Sequence, residues 1–459
     1  MKRKILTLAM ASLATVLFAA DRTWDGGGSD ANWGTAANWG GTAPSTNDAL
    51  FFGGASKLVN TNDLAADTPF AGVMFNSGAG AFTLAGNRIT LDGNITNRST
   101  SAQTINLDLA LSGTRTLSAT SGAITVNGAI SGAGGLTKTG IQPLILSASN
   151  SYAGVTTVKT GGVLRVTNAN ALGSTNGATV VENGGWLEVS GNITVPEAIT
   201  LSGDASTAYA GVLRNTGGTN VWSGPITTTG TRIKAPYGQL IVTGGVTGPG
   251  VVLASEAGAG VTISNLPVNV GSSGGVNAHS PGTLVLAVSN NVWSWIEVAA
   301  TTLRTDVPNA LAAAGTLQMG VSYSTSATVD LNGNNQIIGQ LISATLLPGT
   351  RILTSPTPAT LTVNQSASTI YDGQLNGRLG LAKTGAGTLT LSNSLSTTTG
   401  DITVSNGTLV VALASGLGNS TNVTVSGTGI LELRTSSGIA DAASLSIADA
   451  AQRLTSAPI

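Results

Sequence analysis

The chain has no cysteine and one histidine in 459 residues. Without cysteine there are no disulfides, thiol nucleophiles or cysteine–zinc sites. The lone His279, in Asn277-Ala278-His279-Ser280-Pro281, sets aside a histidine-based triad or multi-histidine metal centre and reads as an exposed turn. Charge is scarce too: 9% of residues are Asp, Glu, Lys or Arg, against a usual ~25%. The formal net charge is −1 and no basic stripe exists, which argues against nucleic acid or anionic lipid as a partner. No amphipathic helical period runs at length past the first 20 residues; Ala310–Ala314 and Ala440–Ala443 are each enough for a turn or two.

Glycine, by contrast, is abundant, at 62 residues, roughly twice the ordinary ~7%. With 41% hydrophobic residues, the chain is not a charge-driven disordered polymer. Its surface is expected to be neutral and rich in Ser, Thr and Asn. Stacked β-rungs place equivalent side chains about 4.8 Å apart. Like charges repel at that spacing, whereas neutral hydrogen-bonding ladders do not.

The first 20 residues read as a signal peptide. Lys2, Arg3 and Lys4 precede an apolar stretch from Ile5 to Phe18, and Ala19 and Ala20 are small. A membrane span needs ~18 or more apolar residues, so the mature chain is expected to have none. Lack of cysteine also suits a chain that crosses a periplasm unfolded.

Short strands alternate apolar and polar residues, as in Ala81–Leu84, Arg88–Leu91, Gln103–Leu111, Leu144–Leu146 and Leu389–Leu391. Turn formers separate them: Gly86-Asn87, Asp92-Gly93-Asn94, Asn127-Gly128, Asn406-Gly407. A longer phrase also recurs, as Leu146–Leu164–Leu172, Leu286–Leu303–Leu311 and Leu391–Leu409–Leu417. Bead-like sandwich domains would recur at a constant length, but these copies begin 140 and 105 residues apart. The constant spacing lies inside them, at 17 or 18 residues. One solenoid coil takes about 20 residues. The expected fold is therefore an all-β, parallel β-helix of about 20 coils.

Residues 21–80 hold Trp24, Trp33 and Trp39 with Phe51, Phe52, Phe70 and Phe75. An aromatic-rich N-terminal cap is expected here, since a bare first rung would template aggregation. The same cluster, with Asp25, Asp30, Asn32 and Asn38, leaves a sugar platform or a Ca²⁺ loop as alternatives. The β-helix is expected over 81–459, with repeat copies near 130–190, 282–331 and 375–433.

Gly132-Ala-Gly-Gly-Leu-Thr-Lys-Thr-Gly140, Leu144-Ile-Leu146, Asn150-Ser-Tyr152, Thr156-Thr-Val158 and Gly162-Val-Leu-Arg-Val166 together resemble the autotransporter-associated β-strand repeat, also called the passenger-associated transport repeat. Leu381-Ala-Lys-Thr-Gly-Ala-Gly-Thr-Leu-Thr-Leu391 with Asn406-Gly-Thr-Leu-Val-Val411 is similar to it, while the middle copy lacks the Lys-Thr-Gly lead. The resemblance implies a right-handed parallel β-helix, secreted or at the cell surface beyond a bacterial outer membrane. It implies export machinery as a partner and a stalk or adhesin-like role. An autotransporter would also carry a C-terminal translocator barrel. The run to Ala457-Pro458-Ile459 has no such pattern, so either another export route or a longer reading frame is expected.

Chemistry is sparse. The glycines around Lys138 and Lys383 lack phosphate-loop spacing, and the two Lys-Thr-Gly turns, 245 residues apart, read as equivalent corners. No cofactor motif and no catalytic constellation stands out, so a non-enzyme is expected. Carbohydrate-active β-helices make carboxylates and tryptophans worth marking. Trp186 and Glu188 share a strand face, and Trp293 and Trp295 are read as sharing another; with Trp222 these are the candidate carbohydrate contacts. Glu188 recurs as Glu432 and Asp330 in similar settings, which favours a structural outward position. Surface glycans or other cell-surface proteins are the expected partners.

Overall fold

A computed structural model describes residues 19–203, 211–321, 326–343, 350–447 and 454–456. The expected signal peptide lies outside the described residues apart from Ala19 and Ala20. The rest is a parallel β-solenoid of about 18 turns. Its strands form sheets of 14, 14 and 16 members. The first runs from Asp21–Trp24 to Val268–Asn269, the second from Val59–Asn62 to Gln340–Ser343, and the third opens at Thr194–Val195. Neighbours in a sheet come from successive coils, and the pairing is parallel throughout.

Period-two alternation builds the core. Leu84, Ile105, Val126, Leu146, Val166 and Val189 stand in register, one coil above the next. All six are buried, each stabilising the stack by about 1.5–3 kcal/mol. The column then meets Asn215, which is fully buried and donates to the Gly218 and Tyr237 carbonyls. Internal amides of this kind recur at the corners. Asn150 accepts from the Ile130 N–H and donates to the Ala171 carbonyl, tying the coils on either side of it. Gln103, Asn291, Gln336 and Gln365 are likewise buried and bonded to corner backbone. A buried backbone group must find a partner, and these amides supply it where the ladder breaks.

The leucine phrase now has a structural meaning. Leu144 pairs with Leu164, Leu284 with Leu303, and Leu389 with Leu409, and Leu172, Leu311 and Leu417 plug corners. The first pair lies in the second sheet and the middle pair in the third. The third pair, like the middle one, lies in the third sheet.

Aromatic residues cluster at the N-terminal end. Trp24, Trp33 and Trp39 are buried against one another and against Phe52 and Phe70, with ring centroids 5.1–6.1 Å apart. Such burial is that of a packed core rather than an open sugar platform. The cluster fills true coils: Asp21–Trp24 pairs with Ala49–Phe52, and Val59–Asn62 pairs with Thr83–Gly86 across residue 80.

Candidate functional site

The outward face of the second sheet carries most of the chemistry. Trp186–Ser190 buries Leu187 and Val189 inward, which turns Trp186 and Glu188 out. Glu188 is in register with Arg165 on one coil and Arg214 on the next. Its carboxylate accepts from Arg165 at 2.7 and 2.9 Å and from Arg214 at 3.3 Å. The Arg214 guanidinium also lies 4.3 Å from the Trp186 ring centroid, a cation–π contact. With Glu188 only 6% exposed and held by two cations, this group is a structural clamp. Glu432 and Asp330 differ in detail: Glu432 accepts from Arg434 at 2.6 Å, and Asp330 from the Asn332 N–H at 2.8 Å.

Further along the same face, Trp295–Ala299 turns Trp295 and Glu297 outward while Ile296 and Val298 enter the core. Trp293 does not share this surface. Ser294 bends the chain before the strand begins, and Trp293 turns into the core with 3% exposure. The expected Trp293/Trp295 face is therefore split by a corner. Trp222 is also fully buried. His279 ends the strand Gly275–His279 and lies 2.8 Å from Glu297 Oε1, so it is not the exposed turn expected from its sequence setting.

The two Lys-Thr-Gly turns are equivalent corners, and each holds a buried lysine. Lys138 and Lys383 are wholly buried, alternating inward with Leu136 and Leu381. Lys138 Nζ donates to the Thr139 carbonyl at 2.5 Å and the Gly140 carbonyl at 2.6 Å. Lys383 donates to the Gly385 and Asn406 carbonyls. Burial lowers the Lys138 ammonium to about 8 and lowers that of Lys383 as well. Gly140 takes a positive φ of 80° at the turn, where a Cβ would strike the Ala119 carbonyl of the preceding coil. The Gly-rich sequence is thus a close-stacked corner.

A second buried polar group lies nearby. Tyr152 shares a 2.6 Å hydrogen bond with Thr156, which stacks on Thr179, and Thr179 donates to Glu197 at 3.4 Å. Burial pushes the Glu197 carboxyl up to about 7. Among the described residues no group of three or more His, Asp and Glu side chains could hold a metal ion, and no helix is long and apolar enough to cross a membrane.

This architecture defines a class: an all-β solenoid with an apolar core and buried polar groups at its corners. Comparison with known proteins sharpens it. Residues 136–166 and 381–411 each match the model of the passenger-associated-transport-repeat. The chain carries two such repeats, each containing one of the buried lysines. Over 212 residues, 45% of its length, it is 30% identical to the adhesin BmaC autotransporter of Brucella suis biovar 1 (strain 1330). The aligned region spans 6% of that protein. No solved structure matches the chain.

Proposed function

We propose that this chain is an exported, non-enzymatic passenger-type solenoid, acting as a stalk and adhesin-like scaffold on the bacterial surface or in the secreted fraction. The observation that carries this reading is the occurrence of two passenger-associated transport repeats within a stack of parallel-paired strands. The similarity to an autotransporter adhesin supports it. The mechanism is mechanical and interfacial. Each finished coil presents a sheet edge that templates the next, so folding propagates along the stack and draws the emerging chain outward from the export machinery. The surface carries few charged residues and is suited to glycans or proteins of another surface.

Protease treatment of intact producing cells, together with assay of the culture medium, tests the location. The expected result is cleavage on intact cells or recovery from the medium, with weaker adherence in a deletion strain. Full protection inside unlysed cells, with none in the medium, would contradict the proposal.

A further inference from the structure

The geometry points to a binding site for a neutral pyranose of a glycan on the outward face of the second sheet, centred on Trp295. This deepens the adhesin-like reading and rests on it.

Trp295 is in register with Gly275, which is in register with Gly250. A Cβ built at Gly275 would overlap the Trp295 indole, so the ring lies directly over that glycine's backbone. Any larger residue at 275 would lift it. Trp295 remains partly exposed, which leaves ring surface for a sugar beside the glycine backbone of Gly275 and Gly250. Two residues further along the same face stand Asn277, Glu297 and Gln318, on three successive coils. Glu297 accepts from Gln318 at 2.7 Å through one oxygen and meets His279 at 2.8 Å through the other. Each carboxylate oxygen has a further lone pair for a hydroxyl, and Asn277 brings an amide that both donates and accepts.

An aromatic plane beside a short polar row is what a hexose requires. The weakly positive C–H face of the ring lies on the negative face of the indole. Hydroxyls at its rim then meet the amide and the carboxylate, one coil spacing of about 4.8 Å apart. The fixed negative charge of Glu297 opposes a uronate or sialate, so the site selects neutral sugars. Trp186 offers no equivalent platform, because Arg214 covers its ring.

The test uses the purified full chain and tryptophan fluorescence titration with cellohexaose, laminarihexaose, β-1,4-galactohexaose and hexagalacturonate. Saturable binding of at least one neutral probe, with weaker or no binding of hexagalacturonate, is expected. Trp295→Ala should weaken binding by about tenfold or more, Trp295→Phe should retain most of it, and Asn277→Ala should weaken it several-fold. Trp186→Ala should leave it unchanged, and circular dichroism should show all variants folded. Failure of all three neutral probes, a preference for hexagalacturonate, or full binding by folded Trp295→Ala would overturn the site. Because the readout is on purified protein, such failure leaves the surface-location test standing; intracellular retention would in turn leave binding measurable.

Discussion

Lys138 and Lys383 occupy the same place in two coils: each side chain is fully buried, and each ammonium donates to the backbone carbonyl two residues on, at Gly140 and Gly385. A buried ammonium is costly unless hydrogen-bonded, and here each is bonded to backbone carbonyls at its corner.

That relationship sets a pH dependence. Lys138 titrates near 8 in the fold, below its ordinary 10.5. Below pH 8 both folded and unfolded chains are protonated there and the fold bears the full penalty. Between pH 8 and 10.5 the unfolded chain holds the proton more tightly, so stability rises with pH, by up to about 3 kcal/mol from this group. The urea midpoint of wild type should rise relative to that of Lys138→Met across that window, the variant lacking this component of the rise.

Glu197 acts in the opposite direction. Its folded carboxyl titrates near 7, above its ordinary 4.5. As pH rises from 4.5 to 7 the unfolded chain ionises first and stability falls, by up to about 3 kcal/mol, then levels off. Glu197→Gln should remove this component, and urea unfolding of both proteins at pH 5 and pH 8 measures it. Equal pH dependence in the two would show that Glu197 is not the buried acid described.

Removing the Glu188 carboxylate should lower stability without changing any activity on polysaccharides. Glu188→Ala leaves Arg214 largely buried without its carboxylate partner, at a cost of about 1–3 kcal/mol. Differential scanning calorimetry should show the lower transition, while hydrolysis or lyase assays on polysaccharides should remain at background in both proteins.

Asn150 should matter as much as a core leucine. Asn150→Ala deprives the Ile130 N–H and Ala171 carbonyl of their partner, costing about 1–3 kcal/mol. Hydrogen exchange should quicken at Ile130 and neighbouring corner amides. Ser396 accepts the Leu375 N–H in the other repeat, so Asn150→Ser should restore part of the protection.

Much of the fold was legible because one face of each strand is apolar. The leucine spacing located the ladder, and uneven separation of the copies distinguished coils from beads. Interior polar groups were harder to place. Lysine ordinarily reads as solvent-facing, although the alternation Leu136-Thr137-Lys138-Thr139 already pointed it inward. The Trp293/Trp295 pairing failed because period two holds only within a strand, and Ser294 stands at a corner. Glu188 was recognised as structural from its counterparts in sequence, but its two arginines come from other coils, a relationship visible only once register is known.

Disulfide trapping reads the register of adjacent coils directly, and the chain's lack of cysteine makes the measurement clean. Thr137 and Thr157 are outward partners on adjacent coils, and Val180 is the next partner beyond Thr157. Adjacent strands lie about 4.8 Å apart, within the Cα span of about 4.4–6.8 Å that a disulfide bridges, while two coils exceed it. Mild oxidation followed by peptide mass spectrometry should find a disulfide in Thr137→Cys/Thr157→Cys and none in Thr137→Cys/Val180→Cys. No bond in the first, or equal bonding in both, would contradict the parallel coil-by-coil stack.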